Sequence, residues 1–306
     1  MGRRTTGSRT PGSRTTGSRT AGPRTRGSRT ALAAGAALAG LAALGAAGCS
    51  ADTIGPPLHH TSDDTTVNGS AAQVDIRNGS GSVHVTTGSG PIRVHRDIDY
   101  HHTRPGPVAG TASGDLRLAA DCDGCKISYD VTVPASTKIS VHGGSGSVDV
   151  SGVAGVDYDG SSGQVTLARI AGPVQAHSGS GGVSVSQVSA PVTVRAGSGD
   201  IDLDGVGGDV EATSSHGSLT GTALRAAHLS GHTGSGSLKL EFATAPGRVE
   251  ARSGSGGIQI RLPRQAYRID AGASSGSVHR KLDDTPGAAA QISAHSGSGD
   301  ITIDGI

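Results

Sequence analysis

The densest potential chemistry in this 306-residue sequence lies in Arg-Val-His-Arg-Asp-Ile-Asp-Tyr-His-His at 93–102. Strand alternation would place Arg93, His95, Asp97, Asp99 and His101 on one face and Ile92, Val94, Ile98 and Tyr100 on the other. Two imidazoles and two carboxylates are donor types that bind a divalent metal. The spacing opposes such a site, because same-face neighbours on one strand lie about 7 Å apart and one ion cannot reach all four. A solvated outer face is the plainer expectation for His95, Asp97, Asp99 and His101.

A second set is spread along the chain. His142, His177, Arg195, His232, Arg252 and His295 each stand four residues before a recurring glycine. If the repeats stack, these residues form a basic, His-rich stripe. Imidazoles titrate near pH 6.5, so such a stripe gains charge in acid and could hold an anionic envelope polymer. The bland alternative is an ordinary solvated face.

Other chemistry is thinner. Cys122 and Cys125, in Cys-Asp-Gly-Cys, suit a short-loop disulfide outside the cytoplasm. A redox pair lacks a thioredoxin-like βαβ context, and zinc would need two more ligands. Gly-Ser-Gly-Asp-Ile-Asp-Leu-Asp-Gly at 197–205 and Gly-Ser-Gly-Asp-Ile-Thr-Ile-Asp-Gly at 297–305 are like calcium-binding nonapeptides, but without their tandem Gly-Gly-x-Gly-x-Asp units. Asp202 and Asp204 read as outward strand and turn residues rather than a carboxylate pair of a β-helix glycosidase or lyase. The expectation is a non-enzyme without a cofactor.

The elements that must carry these residues follow from a twelve-residue pattern that recurs nine times between Ile139 and Ile303. Its anchor glycines are Gly146, Gly163, Gly181, Gly199, Gly217, Gly236, Gly256, Gly276 and Gly299, in steps of 17 to 23 residues. Aliphatic residues stand seven before each anchor and two after it, as in Val192 and Ile201 around Gly199. A spacing of two on both sides of the glycine is a strand period, so each copy reads as two short strands joined at a corner. A period near twenty with one such unit is the mark of a stacked solenoid. A third apolar position seven after the anchor, Val153, Ile170, Val188, Val206 and Leu224, suggests a coil with three inward faces. Serine precedes eight anchors and is expected to bond the turn backbone. Gly221, Pro263 and Arg280 break the pattern. The fold expected is all-β, a single-chain β-solenoid of about nine coils over 139–306 with an N-terminal antiparallel β cap over 70–138. A core-type residue, Ile306, ends the sequence, so that end is expected to be covered by self-association or another partner.

The N-terminal fifty residues are of another kind. Residues 1–30 hold eight arginines and no acid, without apolar periodicity, and read as a disordered basic arm. Residues 31–48 are an uncharged Ala/Leu/Gly stretch of signal-peptide type. Residues 49–69 read as an anchor cysteine and a polar tether. Without the arm the chain is mildly acidic, and aromatic residues make up 2%. Those features argue against nucleic acid and against aromatic sugar platforms.

Ala46-Ala47-Gly48-Cys49 resembles a bacterial lipoprotein processing box, with Ala46 where Leu is usual. That resemblance implies a lipid on Cys49 and a place on the outer face of the bacterial cytoplasmic membrane; a secreted protein is the alternative. The [GS]-S-G-x-[VIL]-x-[VIL] repeats, together with Tyr-Asp-Val-Thr-Val-Pro-Ala-Ser-Thr at 129–137, resemble the bacterial putative-adhesin family of β-strand-repeat proteins, a domain of unknown function. The resemblance covers roughly residues 70–306. It implies a cell-surface β-solenoid and supplies no catalytic residues. The expected function is an adhesin-like binding or scaffold module. The alternatives are an envelope-stress accessory that sequesters membrane-active agents and a β-helix carbohydrate enzyme.

Overall fold

The computed structural model describes residues 57–69, 71–107, 114–119, 122 and 124–306. Cys49, the basic arm and the apolar segment lie outside the described residues. Among those described there is no helix; every element is a strand.

The N-terminal strands are β1 (His59–Val67), β2 (Gln73–Asn78), β3 (Val83–Thr87), β4 (Ile92–Tyr100), β5 (Asp115–Ala119) and β6 (Lys126–Val133). The repeats then supply two strands each. They run β7 (Lys138–Gly143), β8 (Val148–Ser151), β9 (Gly155–Gly160), β10 (Val165–Ala168), β11 (Val174–Ser178) and β12 (Val183–Ser186). Next come β13 (Val192–Ala196), β14 (Ile201–Asp204), β15 (Val210–Ser214), β16 (Leu219–Leu224), β17 (His228–Thr233) and β18 (Leu238–Phe242). The last are β19 (Arg248–Ser253), β20 (Ile258–Leu262), β21 (Arg268–Ser275), β22 (Val278–Arg280), β23 (Gln291–Ser298) and β24 (Ile301–Gly305).

The strand before each glycine joins a front sheet of 11 strands, and the strand after it joins a back sheet of 13. Within the solenoid all pairing is parallel and, apart from a shift in β16, in register, for example Val192↔Val210 and Ile201↔Leu219. Inward Val, Ile and Leu residues of the two sheets meet and are buried, which is the stabilising reason for the alternation. The third apolar column, from Val153 to Leu224, is also buried, but it lines a corner rather than a third sheet. The residue before it turns left-handed: Gly152, Arg169, Gln187, Gly205 and Ala223 have φ of 80°, 54°, 55°, 63° and 49°.

Four expectations need correction. The solenoid has eleven rungs, not nine coils, because β2–β3 and β5–β6 are parallel rungs too. The segment 70–138 is therefore mostly solenoid; β4 is its antiparallel part, and it lies on β6. At about 4.8 Å per rung the stack is roughly 50 Å long. The tether is also shorter than expected, since 59–67 forms β1, antiparallel to β4 at the edge of the back sheet.

The third correction concerns the C-terminal end. The last repeat is not the last rung: β23 lies between β19 and β21, and β24 between β20 and β22. The outermost rung is β21–β22, laid down before the chain returns to fill the gap. This position explains Arg280, since β22 has no further rung to cover it and is exposed throughout. Ile306 is 56% exposed and does not cap a core. The edge of β21 is partly closed within the chain, because Asp284 accepts the Ile269 N–H at 2.8 Å and Thr285 donates to the Tyr267 carbonyl. The N-terminal end shows the same order, with β2–β3 sitting inside β5–β6.

The corner works differently from the expectation as well. Only Gly276 and Gly299 among the anchors have left-handed φ. The others are required by close approach: a Cβ on Gly146 would lie 1.7 Å from the Gly81 carbonyl oxygen, and one on Gly217 2.0 Å from that of Gly199. The serines that precede the anchors are exposed. Corner carbonyls are instead bonded by buried side chains three residues before the anchor: Asn78 to Gly81, Ser178 to Gly181 and Thr233 to Gly236, at 2.8, 2.8 and 2.6 Å. Gly221 is matched to its coil, because Leu224 tucks against it at a register shift in β16.

Candidate functional site

Register pairing on the outer front sheet makes the stripe real. Arg77, His142, Asp159, His177, Arg195, Thr213, His232, Arg252 and His295 are consecutive neighbours across nine strands. Arg77 extends it beyond the residues the repeats predicted. One pleat away runs an acidic row that the sequence reading missed, with Asp75, Asp157, Glu211, Glu250 and Asp270 on the same face.

The two rows pair. Arg195 lies 2.7 Å from Glu211, Arg77 3.3 Å from Asp75 and His295 3.3 Å from Asp270, and Arg252 is in contact with Glu250. His142 is 3.9 Å from Asp75. Among the described residues His177 and His232 have no ion-pair partner. The stripe is thus a charge-compensated double row, not a uniformly basic surface.

Beside the stripe the corner residues are Gly or Ser, so the surface drops into troughs walled by the long side chains. The larger, about 960 Å³, runs past Arg77, Arg117, His142, Asp159 and His177 over the backbone of Gly79, Gly144 and Gly160. A second, about 450 Å³, is lined by His232, Arg252 and His295 over Gly254, Gly272 and Gly297. Exposed Ser162 and Ser180 line the larger trough. Tyr158 enters the narrow inner column beneath it only because Gly160 is bare; a Cβ there would lie 2.0 Å from the Tyr158 hydroxyl oxygen. Burial raises the pKa of that hydroxyl.

β4 turns Arg93, His95, Asp97 and Asp99 outward as expected and ends at Tyr100, so His101 lies beyond it; Arg96, on the inward parity, is buried. Asp63 takes Arg96 with two hydrogen bonds of 2.8 and 2.6 Å, and Gly106 accepts a third at 3.0 Å. The Arg96 guanidinium holds the Asp63 carboxyl below its ordinary range. The metal candidates do not converge. His95 Nδ1 is 2.8 Å from Asp64 and its Nε2 3.5 Å from Asp97, while Asp99 takes His60 at 2.7 Å. Among the described residues no group of three or more His, Cys, Asp or Glu could hold a metal ion. Same-face partners come from neighbouring strands, which a single-strand reading cannot see: Asp64, His95, Asp130, His84 and Asp149 form one row across five strands.

Cys122 and Cys125 are joined as a disulfide, with Cα atoms 5.8 Å apart, a separation that suits the bond. The aspartates of the calcium-like segments are spent on the backbone and on neighbours. Asp200 accepts the Ser218 N–H at 2.7 Å, Asp300 that of Ser277 at 2.8 Å, and Asp204 the Thr222 hydroxyl at 2.8 Å.

Comparison with known proteins follows the architecture. A putative adhesin from Bacteroides fragilis aligns over 82% of this chain and 99% of its own, at 17% identity and a TM-score of 0.43. A putative cell adhesion protein from Clostridium sporogenes covers 82% and 100% at 10% identity, with a TM-score of 0.24. No curated protein matches the sequence. The Toastrack DUF4097 family model matches residues 123–305, more than half of the sequence, and the chain belongs to that family.

Proposed function

We propose that this protein is a non-enzymatic, extracytoplasmic binding scaffold, lipid-anchored through Cys49, that lays an anionic envelope polymer along the trough of its front sheet. The observation that carries this reading is the pair of troughs along one row of His and Arg side chains, interrupted by Asp159 and Thr213. Cationic and imidazole side chains wall each trough, and a repeating solenoid offers them at a regular spacing of about 4.8 Å, which suits a repeating ligand. Secretion without a lipid is the alternative for location.

The test is binding of fluorescent polyphosphate and poly(glycerol phosphate) at pH 5.5 and 7.5. Binding that is weakened several-fold by Arg77→Ala/Arg117→Ala and by His177→Ala/His232→Ala supports the reading. Equal binding by all variants rejects it. The acidic row favours a second reading, capture of cationic membrane-active agents; a cationic peptide displaced by Glu211→Gln/Glu250→Gln would support that instead. A mass shift of lipid size, absent in Cys49→Ala, tests the anchor.

A further inference from the structure

We infer that β1 is a proton-tuned edge strap, docked on β4 chiefly by charge rather than by core packing. None of its nine residues is buried; exposure only alternates between exposed and half-buried. What holds it is a backbone ladder from His59↔Tyr100 to Val67↔Ile92, the partly buried Val67 against the core, and a set of polar contacts. His60 meets Asp99 at 2.7 Å, Asp64 meets His95 at 2.8 Å, and Asp63 grips the buried Arg96. His59 stacks on Tyr100 with ring centroids 5.2 Å apart.

The charged neighbours come from every adjoining element. On β4 Arg93 faces Thr66, and Asp97 lies beside His95. On β6 Lys126 pairs in register with Asp99, and Asp130 with His95; His84 of β3 lies beyond Asp130. In the following loop Arg104 is 3.6 Å from Asp63.

The sign of the pH response follows from these partners. Hydrogen bonds to Asp99 and Asp64 raise the pKa of His60 and of His95. Their attachment is complete below the unfolded value near 6.5 and is lost as pH rises through the raised values. The lowered pKa of Asp63 keeps its pair with Arg96 until the pH falls through that lowered value. Docking is therefore tightest in mild acid, from about pH 4 to 6.5. Release in alkali would bare the edge backbone of β4, the kind of surface on which an added strand docks.

Hydrogen exchange read by mass spectrometry on the full chain at pH 5.5, 6.5, 7.5 and 8.5, corrected for intrinsic chemistry, tests this. Protection of 59–67 should fall on the order of three- to ten-fold from pH 5.5 to 8.5. Protection of the interior strands β11 to β14 should not change. In His60→Asn/His95→Asn the slope should flatten while interior protection confirms folding. The inference is overturned if β1 is as protected as the interior strands at every pH, if it is unprotected at every pH, or if the variant keeps the wild-type slope.

Discussion

Replacing Gly199 by alanine isolates the feature on which the stack depends. The added Cβ would lie 2.0 Å from the carbonyl oxygen of Gly181, 2.5 Å from its carbon and 2.9 Å from the nitrogen of Gly182. All three are backbone atoms, so no side chain can swing aside. Normal contact requires the two rungs to open locally by about 1 Å, a fifth of their spacing of about 4.8 Å. That opening stretches the flanking bonds across the same gap, from Ser198 N–H to the Gly179 carbonyl and from Val183 N–H to the Asp200 carbonyl, now 3.0 and 2.9 Å. Overpacking costs about 1–3 kcal/mol and each lost hydrogen bond about 1 kcal/mol, so we expect a destabilisation of about 3–5 kcal/mol. At about 2–4 °C per kcal/mol for a chain of this size, Tm should drop by about 10 °C. Because each rung contacts only its neighbours, hydrogen exchange should locate the loss at β11 to β14 first. Gly79→Ala is the matched control, a corner glycine whose Cβ would meet nothing within 4 Å. Circular dichroism melts of both variants decide the matter. If Gly199→Ala melts within 1–2 °C of Gly79→Ala, tight backbone stacking is not what selects the anchor glycines.

Three further outcomes are expected. Ala223→Gly relieves a left-handed φ of 49° and should raise stability by about 0.5–1 kcal/mol in urea unfolding, since that conformation costs non-glycine residues about 1–2 kcal/mol. Asp63→Ala strands the buried Arg96 and should cost about 3 kcal/mol; in the wild type the same contribution disappears as pH falls through the lowered Asp63 pKa, so acid titration should lose the β1–β4 edge before the interior rungs. Truncation after Ala290 removes a rung paired on both sides, so exchange protection should vanish from β21 and β22 and weaken in β19 and β20, whereas a terminal-rung origin for β23–β24 would spare β21 and β22.

Much of this was readable from one dimension. The two-residue alternation around Gly199 identifies inward Val192, Val194, Ile201 and Leu203, because a side chain's face on a strand is set by parity alone. The common offset of His142, His177 and His232 from their glycines likewise becomes a stripe once the coils stack in register. The acidic row was legible by the same arithmetic, two residues earlier, but its meaning lay in pairing with its neighbour. What makes Arg96 tolerable was not legible: parity places it inward among Val94 and Ile98, and its burial is met by Asp63 arriving from another strand and by the Gly106 carbonyl.

The sequence by itself determined the repeating unit, its strand period, its inward columns and its small-residue corner, since each is a local property of the chain that recurs at fixed spacing. The tertiary structure alone decided the order in which rungs stack. Pairing of β23 with both β19 and β21, and of β2 with both β5 and β7, joins segments whose local sequences are interchangeable. Parallel strands with the same alternation can bond to any like neighbour, so the order depends on how the connecting loops cross and on which rung can tolerate an open edge. The rung carrying Arg280 and an exposed Val278 is the one left outside.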